Sequence, residues 1–188
     1  MAQAIILAAG YSSRAQTNKM LLPYEGKPLI LHAIDGVRPY VNNVFVVTGH
    51  YHQEILDIVK GLNKVTVILN EQYQNGMFSS VLKGVEAVHE DFFILPGDCP
   101  FVSKKTYLAL LESKNPISVP AYQGQTGHPL FIKHALKTDL LSFPPTSNLQ
   151  VFRDQFDFEI VPVDDPYVLI DIDTVEDFNA FNSLNERK

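Results

Sequence analysis

Four runs of strand length, residues 3–8, 43–48, 64–69 and 92–95, are rich in Ile, Val and Phe and mostly do not alternate between apolar and polar side chains. A strand with one wet face alternates with a period of two, whereas a strand buried on both faces does not. Between these runs lie stretches of helical periodicity at residues 28–41, 52–61 and 78–89. Buried strands separated by helices predict βαβ units and an α/β chain folded as a three-layer α/β/α sandwich. After Asp98 the pattern loosens. A helix is expected at 104–112, strands at 117–120, 130–132, 158–163 and 167–172, a glycine-containing loop at 122–127, and a closing helix from Thr174, where Glu176 and Asp177 suit a helix start. This looser half is expected to hold a second substrate.

The chain has 188 residues, 46% of them hydrophobic, enough to close one core and too few for two, so a single domain over 1–188 is expected. Cys99 is the single cysteine, which excludes an internal disulfide framework, and no Cys/His spacing fits zinc. The apolar start at 4–9 lacks a basic flank and runs at once into Gly10 and Arg14, so it reads as a strand and not as a signal peptide. No apolar run approaches the roughly 20 residues that cross a bilayer. A soluble, cytoplasmic protein with no membrane partner is expected. Fifteen basic against twenty-one acidic residues give a net charge of −6, without a basic block to track a phosphate backbone, which argues against nucleic acid. The same charge repels a nucleoside triphosphate, so local cations must attract one.

Leu7-Ala8-Ala9-Gly10-Tyr11-Ser12-Ser13-Arg14, followed by Lys19, stands directly after the first expected strand. Small residues at the carboxyl end of a buried parallel strand let a ligand approach the backbone. Arg14 offers planar bidentate bonding to phosphate and Lys19 a compact charge. Neither the Walker nor the dinucleotide glycine spacing occurs, and an ordinary strand-to-helix turn with two surface cations is the alternative. Leu95-Pro96-Gly97-Asp98-Cys99-Pro100 ends another apolar strand. Asp98 there suits Mg²⁺, which takes one or two carboxylates beside phosphates; plain turn chemistry is the alternative. In Asp171-Ile172-Asp173-Thr174, strand alternation would put Asp171 and Asp173 on one face, where a cation would relieve their repulsion, unless Asp173 merely caps the last helix. Asn70, Gly76, Ser79 and Ser80 lie between the third strand and a helix start, a polar setting for a base, a ribose or an anion, or simply serine caps. His128, between Gly127 and Pro129, is either an anion-binding group or a loop hydrogen-bonding residue. His32, His50, His52, His89 and His134 read as structural or surface residues, and Cys99 as a small buried one.

In this order the segments LAAGYSSR, NEQYQNGMFSS, PGDCP, GHP and DIDTVEDF resemble the nucleotidyltransferases of molybdenum cofactor guanylyltransferase-like fold, and most closely the molybdenum cofactor cytidylyltransferases. The resemblance spans nearly the whole chain. It implies a Rossmann-like, mostly parallel sheet of the nucleotide-diphospho-sugar transferase type. It also implies that Leu7, Ala8, Ala9, Gly10 and Gly97 lie at the nucleotide, with Asn70 and Ser79 or Ser80 helping to bind it. Arg14 and Lys19 would hold phosphates, Asp98 with Asp171 or Asp173 would bind Mg²⁺, and His128 would face a pterin. The implied reaction joins CMP from CTP to the terminal phosphate of molybdopterin, with an enzyme of the xanthine dehydrogenase class as the implied partner for the product. Gln16 departs from the pattern, which usually has glycine there. Two rivals remain: a sugar- or polyol-phosphate nucleotidyltransferase, and a non-catalytic chaperone that binds a pterin cofactor.

Overall fold

The computed structural model describes residues 2–11 and 18–172. Arg14, Gln16, Asp173 and the closing helix expected from Thr174 lie outside the described residues. The first half runs β1 (Ala2–Ala8), β2 (Pro23–Tyr24), β3 (Lys27–Pro28), α1 (Leu29–Val37), β4 (Val41–Thr48), α2 (His52–Val59), β5 (Val65–Leu69) and α3 (Met77–Ala87). The second half runs β6 (Asp91–Pro96), α4 (Lys104–Glu112), β7 (Ile117–Tyr122), β8 (Gln125–Thr126), β9 (Leu130–Ile132), α5 (Lys137–Leu141), α6 (Leu149–Arg153) and β10 (Phe158–Pro162).

One mixed sheet has the order β10-β7-β9-β6-β1-β4-β5, with β8 paired to β7. The β6-β1-β4-β5 half is wholly parallel, while β9 runs antiparallel to β6 and to β7. Every residue of β1 is buried, and its side chains divide between two cores. Ala2, Ala4, Ile6 and Ala8 face one layer with Ile30, Ala33 and Ile34 of α1, Ile55 of α2 and Leu110 of α4. Ile5 and Leu7 face the other, with Phe78, Val81 and Val85 of α3, Leu140 of α5 and Phe152 of α6. Two buried faces explain why the run does not alternate. The small side chains of Ala2, Ala4 and Ala8 let α1 and α2 lie close to the sheet.

The chain moves from β1 to β4 to β5 in one direction, then crosses by α3 to β6 on the far side of β1. α3 accordingly packs on the face opposite α1 and α2, as right-handed crossovers in opposite directions require. The order reverses between β1 and β6, and the loops leaving these two strands diverge there.

The second half departs from the expected pattern in two places. Residues 167–172 are not a strand: Pro166–Leu169 form a 3-10 helix. Proline at its start fixes φ and removes a donor, and the Asp165 side chain caps the helix by accepting from Tyr167 N at 3.1 Å. The other Asp165 oxygen accepts from Ser103 N at 2.8 Å and Thr106 Oγ1 at 2.6 Å, which ties this helix to the start of α4. Period-two alternation therefore does not govern Asp171. Within 122–127 the chain makes a hairpin, β7 to β8, through Gln123 and Gly124 at positive φ.

Candidate active site

Because β1, β4, β5 and β6 are parallel, the loops after Ala8, Thr48, Leu69 and Pro96 emerge on one edge of the sheet. At the β1/β6 switch point those after Ala8, Leu69 and Pro96, with Lys19 and Met20, enclose a cleft of about 460 Å³. Leu7, Ala9, Gly10, Lys19, Ser80 and Asp98 line it, together with Tyr11, Tyr73 and Met77. With Gly76, seven of the residues singled out in the sequence thus share one cavity. A methyl group built on Gly10 meets nothing within 4 Å, so the glycine leaves open space above the strand end.

Other expected residues support the cleft without lining it. Ala8 is buried against the α1 layer. Gly97 donates its N–H to Leu7 O at 2.9 Å, and a Cβ there would stand 2.9 Å from Met20 Sδ and 3.0 Å from Ile30 Cδ1. Its small size lets the β6 loop close over β1 and keeps Lys19 and Asp98 on one wall. Asn70 is buried and fully engaged: Nδ2 donates to Ser79 Oγ and Ser80 Oγ, both at 3.0 Å, and Oδ1 accepts from Gln72 N at 3.0 Å. It locks the end of β5 to the first turn of α3, and that turn presents Ser80 to the cleft.

Lys19 opens a short 3-10 helix, Lys19–Leu21, capped by the Asn18 side chain, which accepts from Met20 N at 3.2 Å. Lys19 Nζ meets Asp98 Oδ2 at 2.5 Å, both side chains 13% exposed. A carboxylate and an ammonium so shielded attract strongly, and whichever ligand arrives must offer each a substitute partner.

Ile172 N donates to Asp98 O at 3.1 Å, which brings residues 170–172 against the β6 loop. There Cys99 Sγ donates to Asp171 Oδ1 at 2.8 Å and lies 3.9 Å from Asp98 Oδ1. Burial pushes the Cys99 thiol well up; Asp98 and Asp171 add to the rise and Lys19 opposes it. Burial lowers the His128 imidazole, against the pull of Asp171 and Asp98. His128 is placed by its own N–H to Val168 O at 2.8 Å and by Gly127, whose added Cβ would fall 2.0 Å from Val168 O. Asp98 on the cleft wall, with Asp171 linked to it through Cys99, offers hard oxygen donors of the kind a divalent cation takes beside phosphates.

A second cavity of about 320 Å³ shares Leu7, Met77 and Pro96 with the first. Its walls combine apolar Phe78 and Leu130 with polar Thr126, His128, Asn148 and Arg153. Arg153 stacks over the Phe158 ring at 4.5 Å and pairs with Asp154 at 2.7 Å. No residue of 148–153 was singled out in the sequence; the signal available was Asn148 before an apolar turn, which caps α6 by accepting from Val151 N at 2.9 Å. Also unforeseen is the aromatic brace behind Ala9 and Gly10. Tyr11 packs against His50 and Tyr73 at ring distances of 5.0 and 5.2 Å, and Tyr51 Oη donates to Tyr11 O at 3.2 Å.

An α/β sheet with a nucleotide-sized cleft at its switch point, an ammonium and a carboxylate on its wall, and a second pocket alongside is the architecture of an enzyme of the nucleotidyltransferase class. The chain belongs to the MobA-like NTP transferase domain family, which matches residues 4–158. It is 28% identical over 176 residues to the molybdenum cofactor cytidylyltransferase of Escherichia coli strain K12, covering 93% of this chain and 92% of that one. Its fold is similar to a nucleotidyl transferase from Methanothermobacter thermautotroptrophicus (Mth528), with a TM-score of 0.86, 24% identity and coverage of 100% and 98%. It is also similar to Rv0371c of Mycobacterium tuberculosis H37Rv in complex with manganese, with a TM-score of 0.79, 20% identity and coverage of 97% and 98%. Among the described residues, no helix is long and apolar enough to cross a membrane.

Proposed function

We propose that this chain, acting as a single domain, transfers CMP from CTP to the terminal phosphate of molybdopterin and releases pyrophosphate. The observation that carries the proposal is the pair of adjacent cavities, which share Leu7, Met77 and Pro96 in their walls. The first has phosphate- and metal-type groups at a strand-end switch point, and the second has an apolar body with His128 and Arg153. A triphosphate suits the first and a flat, anionic heterocycle the second. The relative named a molybdenum cofactor cytidylyltransferase, alike over 93% of this chain, supports that choice of donor and acceptor.

In this reading CTP lies along Ala9 and Gly10, with Ser80 and the positive end of α3 beside it. Lys19 exchanges Asp98 for phosphate oxygens. Asp98, with Asp171 or Asp173, holds Mg²⁺, which when bound neutralises charge that builds on the leaving pyrophosphate. The acceptor phosphate is already largely ionised near neutral pH, so the protein need not supply a strong base. Its task is to hold that oxygen in line with the α-phosphorus. As the P–O bond to the acceptor forms, the bond to the β-phosphate oxygen breaks, and Lys19 and Arg14 meet the charge that leaves. The methyl of Ala9 crowds a purine and favours CTP over GTP. An enzyme of the xanthine dehydrogenase class would then take the product, and the cytoplasm would be the place of action.

The test incubates the protein with Mg²⁺, molybdopterin and each of the four nucleoside triphosphates, and measures pyrophosphate and the dinucleotide product. CTP should give the fastest release, in step with product. Release that needs a sugar phosphate or polyol phosphate in place of molybdopterin would move the chain to that substrate class. Molybdopterin binding without any release would make it a carrier.

A further inference from the structure

We infer that Cys99, His128 and Asp171 form a binding site for a soft divalent transition-metal ion of the Zn²⁺ class, next to Asp98 and sharing Asp171 with the hard-cation set proposed there. Their sulfur, nitrogen and oxygen ligand atoms all lie within 4.8 Å of one another. Tetrahedral Zn²⁺ with bonds of about 2.0–2.3 Å needs its ligands about 3.3–3.8 Å apart, so the wider pairs close by at most roughly 1 Å while Cys99 Sγ and Asp171 Oδ1, now 2.8 Å apart, exchange their hydrogen bond for the metal and open by a similar amount. The three residues come from separate segments: the β6 loop, the turn before β9 and the stretch after the Pro166–Leu169 helix. Backbone bonds fix each segment, His128 N to Val168 O at 2.8 Å and Ile172 N to Asp98 O at 3.1 Å among them.

A second observation points the same way. His128 Nδ1 is sealed from solvent and has no hydrogen-bond partner. Buried polar nitrogens are nearly always satisfied, and a metal ion is a partner that a neutral imidazole nitrogen can take. The donor set selects the metal. Mg²⁺ prefers oxygen and retains water, whereas one thiolate, one imidazole and one carboxylate suit Zn²⁺ or Co²⁺. On binding, the Cys99 S–H bond breaks and its proton leaves to solvent, while a sulfur lone pair forms the bond to the metal; nothing is oxidised or reduced. Three protein ligands leave a fourth position for water or for Asp98 Oδ1, which lies 3.9 Å from Cys99 Sγ.

The site does not depend on CTP being the donor, and its test is spectroscopic. Untagged, metal-free protein is titrated with Co²⁺ in a large excess of Mg²⁺. The expected result is a sulfur-to-cobalt charge-transfer band in the near ultraviolet and visible bands of tetrahedral intensity, both bleached by one equivalent of Zn²⁺. Cys99→Ser and Cys99→Ala should abolish the sulfur band and weaken Zn²⁺ binding more than about tenfold, or 1.4 kcal/mol. Thermal melts without metal establish that each variant is folded, and Mg²⁺-dependent pyrophosphate release should survive Cys99→Ser, so metal binding and transfer are read separately. A cobalt spectrum without the sulfur band, or Zn²⁺ affinity unchanged in a folded Cys99 variant, overturns the site.

Discussion

Two glycines near the site have opposite reasons to be glycine, and substitution should separate them. Gly10 lies outside the left-handed region, and an added Cβ meets nothing within 4 Å, so the free protein has room for alanine. Gly10→Ala is expected to melt close to the wild type and to bind CTP at least about tenfold more weakly, because the methyl occupies space above the strand end that the nucleotide needs. Isothermal titration beside a thermal melt checks both halves. A Cβ on Gly127 would stand 2.0 Å from Val168 O, a backbone atom that cannot swing aside. Gly127→Ala should cost about 2–3 kcal/mol, a fall in melting temperature of about 4–12 °C. A wild-type melt for Gly127→Ala would mean that this contact gives way easily. Both glycines stood out in the sequence, yet only coordinates tell ligand space from packing. A Gly beside a strand end has the same spelling in either case.

At the scale of elements, the parallel half of the sheet was legible because burial on both faces leaves a direct mark at β1, β4 and β6, apolar runs without alternation separated by helical periodicity; β5 has the same composition but, as the edge strand, is half-buried with Thr66 and Leu69 exposed, so two-sided burial was not borne out there. α4 was expected at 104–112 and lies at Lys104–Glu112, with Ser103 as its cap. The mixed half, where β9 and β8 run antiparallel to β7 but β10 runs parallel to it, was less legible because its strands are short and its joints are made by side chains. The apolar stretch 167–172 has strand composition, yet Asp165 and Pro166 turn it into a 3-10 helix through bonds to Ser103 and Thr106, more than fifty residues away in sequence. Periodicity carries no record of such partners. Asp165→Ala should therefore release the 3-10 helix and the start of α4 together. Loss of three bonds to one buried carboxylate is worth about 3 kcal/mol, or about 6–12 °C in melting temperature. Calorimetry reads the stability, and hydrogen exchange at Ser103 and Tyr167 reads the location. Protection retained at both amides would show that another group holds this joint.

For the whole molecule the governing fact is charge. The chain carries −6, and a triphosphate adds about four more negative charges, so attraction must be local and made at the moment of binding. Lys19 stands in the cleft but is held by Asp98 at 2.5 Å. Without a divalent cation, CTP must take Lys19 from a carboxylate and leave that carboxylate exposed to its own phosphates; with Mg²⁺ on Asp98, both penalties vanish. CTP binding to the wild type should therefore depend steeply on Mg²⁺. Asp98→Asn removes the charge that holds Lys19 and the charge that repels phosphate. Binding of CTP to this variant in the absence of Mg²⁺ should be tighter than that of the wild type by about tenfold, or 1.4 kcal/mol. Turnover should move the other way, falling by at least about a hundredfold, or 2.7 kcal/mol, because a neutral amide is a poor ligand for the ion that stabilises the leaving pyrophosphate. Titration of CTP with and without Mg²⁺, beside pyrophosphate release, measures both. If Asp98→Asn keeps the Mg²⁺ dependence of the wild type in binding, Asp98 is neither the metal ligand nor the residue that restrains Lys19.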